Sequence, residues 1–138
     1  MNFPGKFVVT TRNDQKPNLI KQQITGLVPG QVYSVKVNNA DFKNISSADL
    51  MYTGISVIGA QTLESGSIRH QCAFRTKDKK SVNVRLNYMF LKFKATDTTA
   101  ELILSDWDSD EFPGKAGQQI MWDMVIVEPF FTGEPLIK

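Results

Sequence analysis

Apolar and polar residues alternate with a two-residue period along much of this chain. This period is typical of β-strands with one buried face, whereas an amphipathic helix needs apolar residues at i, i+3, i+4 and i+7. No stretch keeps the helical spacing for three turns, so the pattern predicts an all-β protein, an antiparallel sandwich or barrel. The predicted strands are Lys6–Thr11, Leu19–Thr25, Val32–Asn38, Gly54–Ala60, Arg69–Arg75, Arg85–Ala95, Ala100–Ser105 and Gln118–Val127.

Turn-forming residues separate the predicted strands. Pro29-Gly30 predicts a hairpin that joins Leu19–Thr25 to the strand containing Tyr33. A short helical turn is predicted over Ile45–Met51, because Ser46–Asp49 resembles a helix cap. The other predicted turns are Asn13-Asp14, Asn38-Asn39, Ser65-Gly66, Asp97-Thr98 and Pro113-Gly114.

The longest predicted strand indicates which of its faces is buried. Met89, Leu91, Phe93 and Ala95 share one side and are predicted to lie in the core. The opposite side carries Tyr88, Phe90, Lys92 and Lys94, and the lysines indicate that this side meets water. In the last strand, Gln118–Val127, both faces are largely apolar, so we expect it to be central in its sheet.

Length and charge narrow the possible functions. The 138 residues predict one sandwich domain over 1–138, with a core over 6–128 and a tail or linker over 129–138. A net charge of +2, with no basic face that carries interleaved aromatics, argues against nucleic-acid binding. No segment is long and apolar enough to be a membrane span, and the first residues lack signal-peptide features. The single cysteine, Cys72, excludes an internal disulfide and is interpreted as a small buried apolar residue.

Two groups of segments carry a resemblance to a known family. The first is Phe7–Arg12, Leu19–Leu27 and Pro29–Tyr33, and the second is Phe93–Thr96, Ala100–Leu104 and Trp122–Val127. In order and spacing they resemble the carbohydrate-binding modules of families 4, 9, 16 and 22. The resemblance implies an eight-stranded galactose-binding-like jelly roll, an accessory module of a larger secreted or cell-surface glycan-active protein.

The sequence departs from that family at two places. The family's first strand, which contributes to a structural calcium site, is short or missing before Lys6. Ile103 and Ser105 stand where xylan-binding members carry an aromatic and an acidic residue. The resemblance therefore indicates the fold more strongly than it indicates the glycan.

Aromatic and hydrogen-bonding side chains supply the predicted ligand site. Sugars stack their apolar C–H faces on exposed aromatic rings, and flanking polar groups bind the hydroxyls. Trp107 is the preferred ring because it lies in a polar loop, whereas Trp122 is interpreted as core. The other predicted ligand-binding residues are Arg12, Tyr52, Tyr88, Phe90, Arg75 and Asn87.

Acidic residues suggest a cation site. Asp106, Asp108 and Asp110 match the first three ligand positions of an EF-hand, but Glu111 and Gly117 occupy positions that need Gly and Glu. This excludes an EF-hand and leaves a looser calcium loop or a solvated acidic loop.

Asp123 lies among apolar residues and needs a partner, which is Arg12, a backbone nest or a cation. The resemblance implies structural calcium near Asp123. Asp123, Asp106 and Asp108 are thus the predicted metal ligands.

Three functional hypotheses follow from these residues. The preferred one is a non-catalytic module that binds a polysaccharide or oligosaccharide, and the alternative is a structural sandwich that packs against neighbouring domains or subunits. A glycosidase would need two suitably spaced carboxylates, for example Asp106 with Glu101. Acidic pairs in loops are common and catalysis also needs a raised pKa, so we predict that the chain is not an enzyme.

Overall fold

The computed structural model describes residues 7–45, 51–76 and 83–131, with the backbone alone over 70–76, 83–85 and at 124. It contains eight strands in two antiparallel sheets, ordered β1-β8-β3-β6-β5 and β2-β7-β4. This confirms the predicted all-β sandwich. The strands are β1 Val8–Thr11, β2 Leu19–Ile24, β3 Val32–Asp41, β4 Gly54–Ile58, β5 Ala60–Thr76, β6 Asn83–Ala95, β7 Ala100–Ser105 and β8 Gln119–Pro129.

The helical turn predicted over Ile45–Met51 falls mostly outside the described residues. Within the described ranges, no helix has the length and apolar character needed to cross a membrane.

The core lies between the two sheets. Met89, Leu91, Phe93 and Ala95 of β6 are buried there, and Lys94 on the other side is exposed, as the alternation predicted. Strand β8 pairs with β1 on one side and β3 on the other, which confirms its predicted central position. The remaining buried members of this cluster are Leu27, Tyr33, Val35, Val37, Met51, Ile55, Val57, Ala100, Leu102, Leu104, Ile120 and Trp122.

The Pro29-Gly30 turn was wrongly predicted to be a hairpin. It connects β2 in the three-stranded sheet to β3 in the five-stranded sheet, so the two strands do not pair with each other. Gly30 has a φ of 89°, which a turn of this kind requires, and the Gln31 N–H donates to Val28 O. The Tyr33 hydroxyl accepts the Val28 N–H at 2.9 Å and holds the turn against the core. Alternation shows which face is buried, but not which strand lies alongside.

Two other predicted turns lie inside strands. Asn38 and Asn39 continue β3, and the buried Asn39 Nδ2 donates to Thr53 Oγ1 at 3.0 Å. Gly66, with a φ of 82°, belongs to an irregular stretch of β5, which therefore begins at Ala60 and not at Arg69. A glycine in a strand often marks a bulge, and this one was mistaken for the end of the strand.

A bulge in β8 reverses the orientation of its side chains. Lys36 of β3 lies opposite Ile126, and Asn38 lies opposite Asp123, so β8 contains one extra residue between these pairs. An extra residue shifts the two-residue alternation by one position. Trp122 therefore faces the core before the bulge, and Val127 packs against the same core after it.

Candidate functional site

The residues predicted to bind ligand lie in several places. Tyr88 and Phe90 are on the outer face of the five-stranded sheet, and Trp107, Arg12 and Tyr52 lie at the end of the sandwich. Asn87 is 5% exposed and faces the interior, opposite Asn39. Arg75 lies in the part of β5, residues 70–76, of which only the backbone is described.

Three aromatic rings form a continuous row on the outer face of the five-stranded sheet. The Tyr88 and Phe90 rings lie 6.5 Å apart and nearly parallel, because residues two apart on a strand point to the same side. The Phe130 ring meets Phe90 edge-on at 5.9 Å, and Lys92 Nζ lies 4.4 Å from the Phe130 centroid. All four side chains are partly exposed. We call the surface formed by Tyr88, Phe90, Phe130 and Lys92 the aromatic face.

Polar groups border the aromatic face. Lys36 lies next to Phe90 in the sheet, and its Nζ is 2.9 Å from Glu128 Oε1. The hydrogen bond to Glu128, together with the charge of that carboxylate, raises the pKa of Lys36 above its ordinary value. The aromatic face thus has both a cationic donor and an anionic acceptor at its border.

The second location is built by the loop between β7 and β8. The Phe112 N–H donates to Ser109 O at 3.0 Å, and this tight turn presents the Phe112 ring. That ring is 51% exposed and stacks on Tyr52, itself 36% exposed, with centroids 6.0 Å apart and planes only 7° from parallel. The rings open onto a cavity of about 590 Å³, the end pocket, lined by Tyr52, Glu111, Phe112, Pro113, Gly114, Lys115 and Gln118.

Arg12 lies beneath the end pocket and supports its walls. Arg12 was predicted to bind ligand, but it is only 3% exposed. Nη1 donates to the carbonyls of Tyr52 and Pro113 at 3.1 and 3.0 Å, and Nε donates to Gln118 Oε1 at 3.0 Å. Burial lowers the pKa of the Arg12 guanidinium, whereas the charges of Asp106 and Asp41 oppose that shift. Arg12 joins three separate segments at the end of the sandwich.

Gly114 is required where the loop crosses Arg12. Its φ is 73°, and a Cβ at this position would lie 2.5 Å from Arg12 Cζ. We expect Gly114→Ala to lower the free energy of unfolding by roughly 2–4 kcal/mol, because left-handed strain is added to a clash with a buried cation. Urea denaturation measures the loss.

Gly117→Ala is the matched control for this prediction. Gly117 has a φ of 86° but nothing within 4 Å of the position of a Cβ. Its replacement adds the strain without the clash, at a cost of roughly 1–2 kcal/mol. Equal losses for the two variants would contradict the proposed packing of Arg12 against Gly114.

Trp107 is less available than the sequence suggested. Its Nε1–H donates to Asn13 O at 3.1 Å, and its ring is partly buried. The predicted core residue Trp122 is buried, and its Nε1–H donates to Thr10 Oγ1 at 3.1 Å. Trp107 thus ties the loop that follows β1 to the loop that follows β7.

The acidic residues do not converge on one point. Asp106 is fully buried and accepts hydrogen bonds from the Asn18 N–H and Nδ2, both at 2.8 Å, whereas Asp108 is exposed. Asp123 is partly buried in β8, opposite Asn38. Among the described residues, no group of three or more His, Cys, Asp or Glu side chains is placed to hold a metal ion. Asp106 thus connects Asn18, just before β2, to the start of the loop that follows β7.

Sequence reasoning missed two aromatic contributors. Phe130 lies in the segment that was interpreted as a tail, yet its N–H donates to Val32 O and extends the sheet pairing. Phe112 was overlooked beside the acidic run, although Pro113-Gly114 marked a turn there. An aromatic residue next to a turn was the signal available for Phe112.

Comparison of the chain with protein-family models, with curated proteins and with solved structures finds no match. Functional inference therefore rests on the two aromatic surfaces.

Proposed function

We propose that this protein is a non-catalytic carbohydrate-binding domain whose aromatic face binds a glycan chain. The observation that supports this most is the continuous row of three partly exposed rings, Tyr88, Phe90 and Phe130, on the outer face of the five-stranded sheet. Aromatic rings offer flat apolar surfaces with little conformational entropy to lose, which suits the C–H faces of sugar rings. A row of rings supports the binding of several sugar units of one glycan chain.

The groups at the border of the aromatic face support the same proposal. Lys36 and Glu128 supply donors and acceptors beside the rings, and glycan hydroxyls both donate and accept. These groups can therefore bind the hydroxyls of a sugar that is stacked on the rings.

The test is binding to a panel of soluble plant, algal and host glycans, measured by affinity electrophoresis and calorimetry. We expect Phe90→Ala and Phe130→Ala each to weaken binding at least tenfold, about 1.4 kcal/mol. Phe131→Ala is the matched control, because it removes an exposed ring of the same type that belongs neither to the aromatic face nor to the end pocket. Melting temperatures of all variants are measured in parallel, so that lost binding is not confused with unfolding.

Two outcomes would contradict the proposal. One is that no glycan in the panel binds, and the other is that both aromatic-face variants bind as tightly as the unmodified protein. Tryptophan fluorescence is a poor probe here, because Trp122 is buried in the core and Trp107 contacts the loop after β1.

Apolar side chains near the aromatic face favour a second candidate function, packing against a neighbouring domain or subunit. Ile126 and Ile68 are exposed on the same sheet face, on either side of Lys36 and Phe90. Such apolar positions are typical of protein interfaces. Concentration-dependent sedimentation together with failure to bind any glycan would favour this function.

A further inference from the structure

The end pocket has the dimensions and lining of a small-molecule site. Its volume of about 590 Å³ falls within the range of roughly 300–1,000 Å³ that is common for ligand pockets. Two parallel exposed rings and Pro113 provide an apolar wall, and Glu111 and Lys115 provide polar groups. This combination of apolar wall and few polar groups is what small ligands require.

The backbone at Tyr52 is held in an unfavourable conformation. Its φ of 48° makes it the one described residue other than glycine with a positive φ. The left-handed region costs a bulky residue roughly 1–2 kcal/mol, and such strain persists where surrounding contacts impose it, often at binding sites. Here the Arg12 bond to Tyr52 O and the stack on Phe112 impose it. The Tyr52 ring is thus fixed in place before any ligand arrives.

The charges of the pocket favour an uncharged ligand. Glu111 and Lys115 carry opposite signs, so a ligand with charge of one sign that is attracted by one is repelled by the other. The nearest buried cation, Arg12, donates to three acceptors through Nη1 and Nε, and its buried Nη2 has no hydrogen-bond partner among the described residues. The guanidinium lies behind Gly114. A hydroxyl group accepts from Lys115 or donates to Glu111, so a neutral polyol satisfies both.

The end pocket is remote from the aromatic face. The pocket precedes Gln119, where β8 begins, whereas Phe130 follows Pro129, where it ends. At about 3.3 Å per residue the strand places Phe130 roughly 30 Å from the pocket. Tyr88 lies level with Asp123 across β3, so it is roughly 15 Å from the pocket along the strand direction. A mono- or disaccharide therefore reaches only one of the two surfaces.

We infer that the end pocket is a second saccharide site, which takes a single uncharged sugar unit stacked on the Tyr52–Phe112 pair. The rings contact the apolar face of the sugar, and Glu111 and Lys115 bind its hydroxyls. This site is independent of the aromatic face, so an experiment can contradict one of the two proposed sites and support the other.

Titration of the isotopically labelled full chain by NMR tests this inference. The probes are glucose, galactose, mannose and xylose, with glucuronic acid and glucosamine as charged counterparts of the same size. We expect at least one neutral sugar to shift the amide signals of residues 111–118 at millimolar concentration, with weaker binding of its charged counterparts. Phe112→Ala and Lys115→Ala should each reduce affinity at least fivefold.

The control variant is Phe90→Ala, which should leave the affinity of the end pocket unchanged while weakening glycan binding at the aromatic face. Phe112 and Lys115 are exposed loop residues, so neither variant threatens the fold. The inference would be overturned if none of the four neutral sugars bound, if a charged sugar bound as tightly, or if Phe112→Ala bound normally.

Discussion

Replacing Phe93 with alanine is expected to lower the free energy of unfolding by about 3–5 kcal/mol. Phe93 is fully buried in β6, and its ring stacks on Tyr33 at a centroid distance of 5.6 Å. Tyr33 in turn accepts the Val28 N–H, so the lost ring also loosens the connection between the two sheets. Urea denaturation followed by far-UV circular dichroism measures the loss.

Phe131→Ala is the matched control for the core substitution. Phe131 is 56% exposed, so its truncation should change stability by less than about 0.5 kcal/mol. The same residue type is thus removed from a buried and an exposed position. Equal losses for the two variants would contradict the assignment of Phe93 to the core.

Much of the fold could be predicted, because a strand with one buried face alternates apolar and polar residues. Strand β7 begins and ends at the predicted residues, Ala100 and Ser105, and the buried side of β6 follows from Met89, Leu91 and Phe93. Pairing could not be predicted in the same way. The apolar face of β2 packs on the core whether β2 pairs with β3 or with β7, so the sequence around Pro29-Gly30 suits both arrangements.

Irregularities within strands also could not be predicted from the sequence. A bulge is a change in register between two strands, and neither strand alone records it. In β8 the bulge between Asp123 and Ile126 brings Val127 to the core. The apolar character of both sides of this strand was its only trace in the sequence.

The candidate sites could be predicted in part. Tyr88 and Phe90 were predicted to lie on a solvent-facing side of their strand, because lysines share that side. In the structure both side chains lie there and are partly exposed. Phe130 could not be linked to them, because its position depends on pairing between distant segments. Residue type alone also predicted that Arg12 binds ligand, whereas in the structure it donates to three acceptors that the fold brings together.

Arg12→Ala is expected to lower the free energy of unfolding by roughly 2–4 kcal/mol, because it removes charge-assisted bonds and leaves three partly buried acceptors without a donor. The carbonyls of Tyr52 and Pro113 and the amide of Gln118 all lose their bond to this side chain. The loop over 113–118 should also lose its anchor, so amide signals of the end pocket should shift in the variant. Chemical denaturation and NMR spectra of the full chain measure the two effects.

Arg69→Ala provides the matched arginine control. Arg69 pairs with the exposed Glu64 at 2.7 Å and donates to Ile55 O, and its side chain is 35% exposed. Solvent screens such a pair, so its loss should cost no more than about 1 kcal/mol. Burial of the Arg12 guanidinium costs free energy, and this offsets part of the stabilisation from its hydrogen bonds. The larger loss predicted for Arg12→Ala than for Arg69→Ala therefore comes from the three acceptors that are left without a donor. If the two variants were equally stable, the contacts of Arg12 would not be what holds the end pocket together.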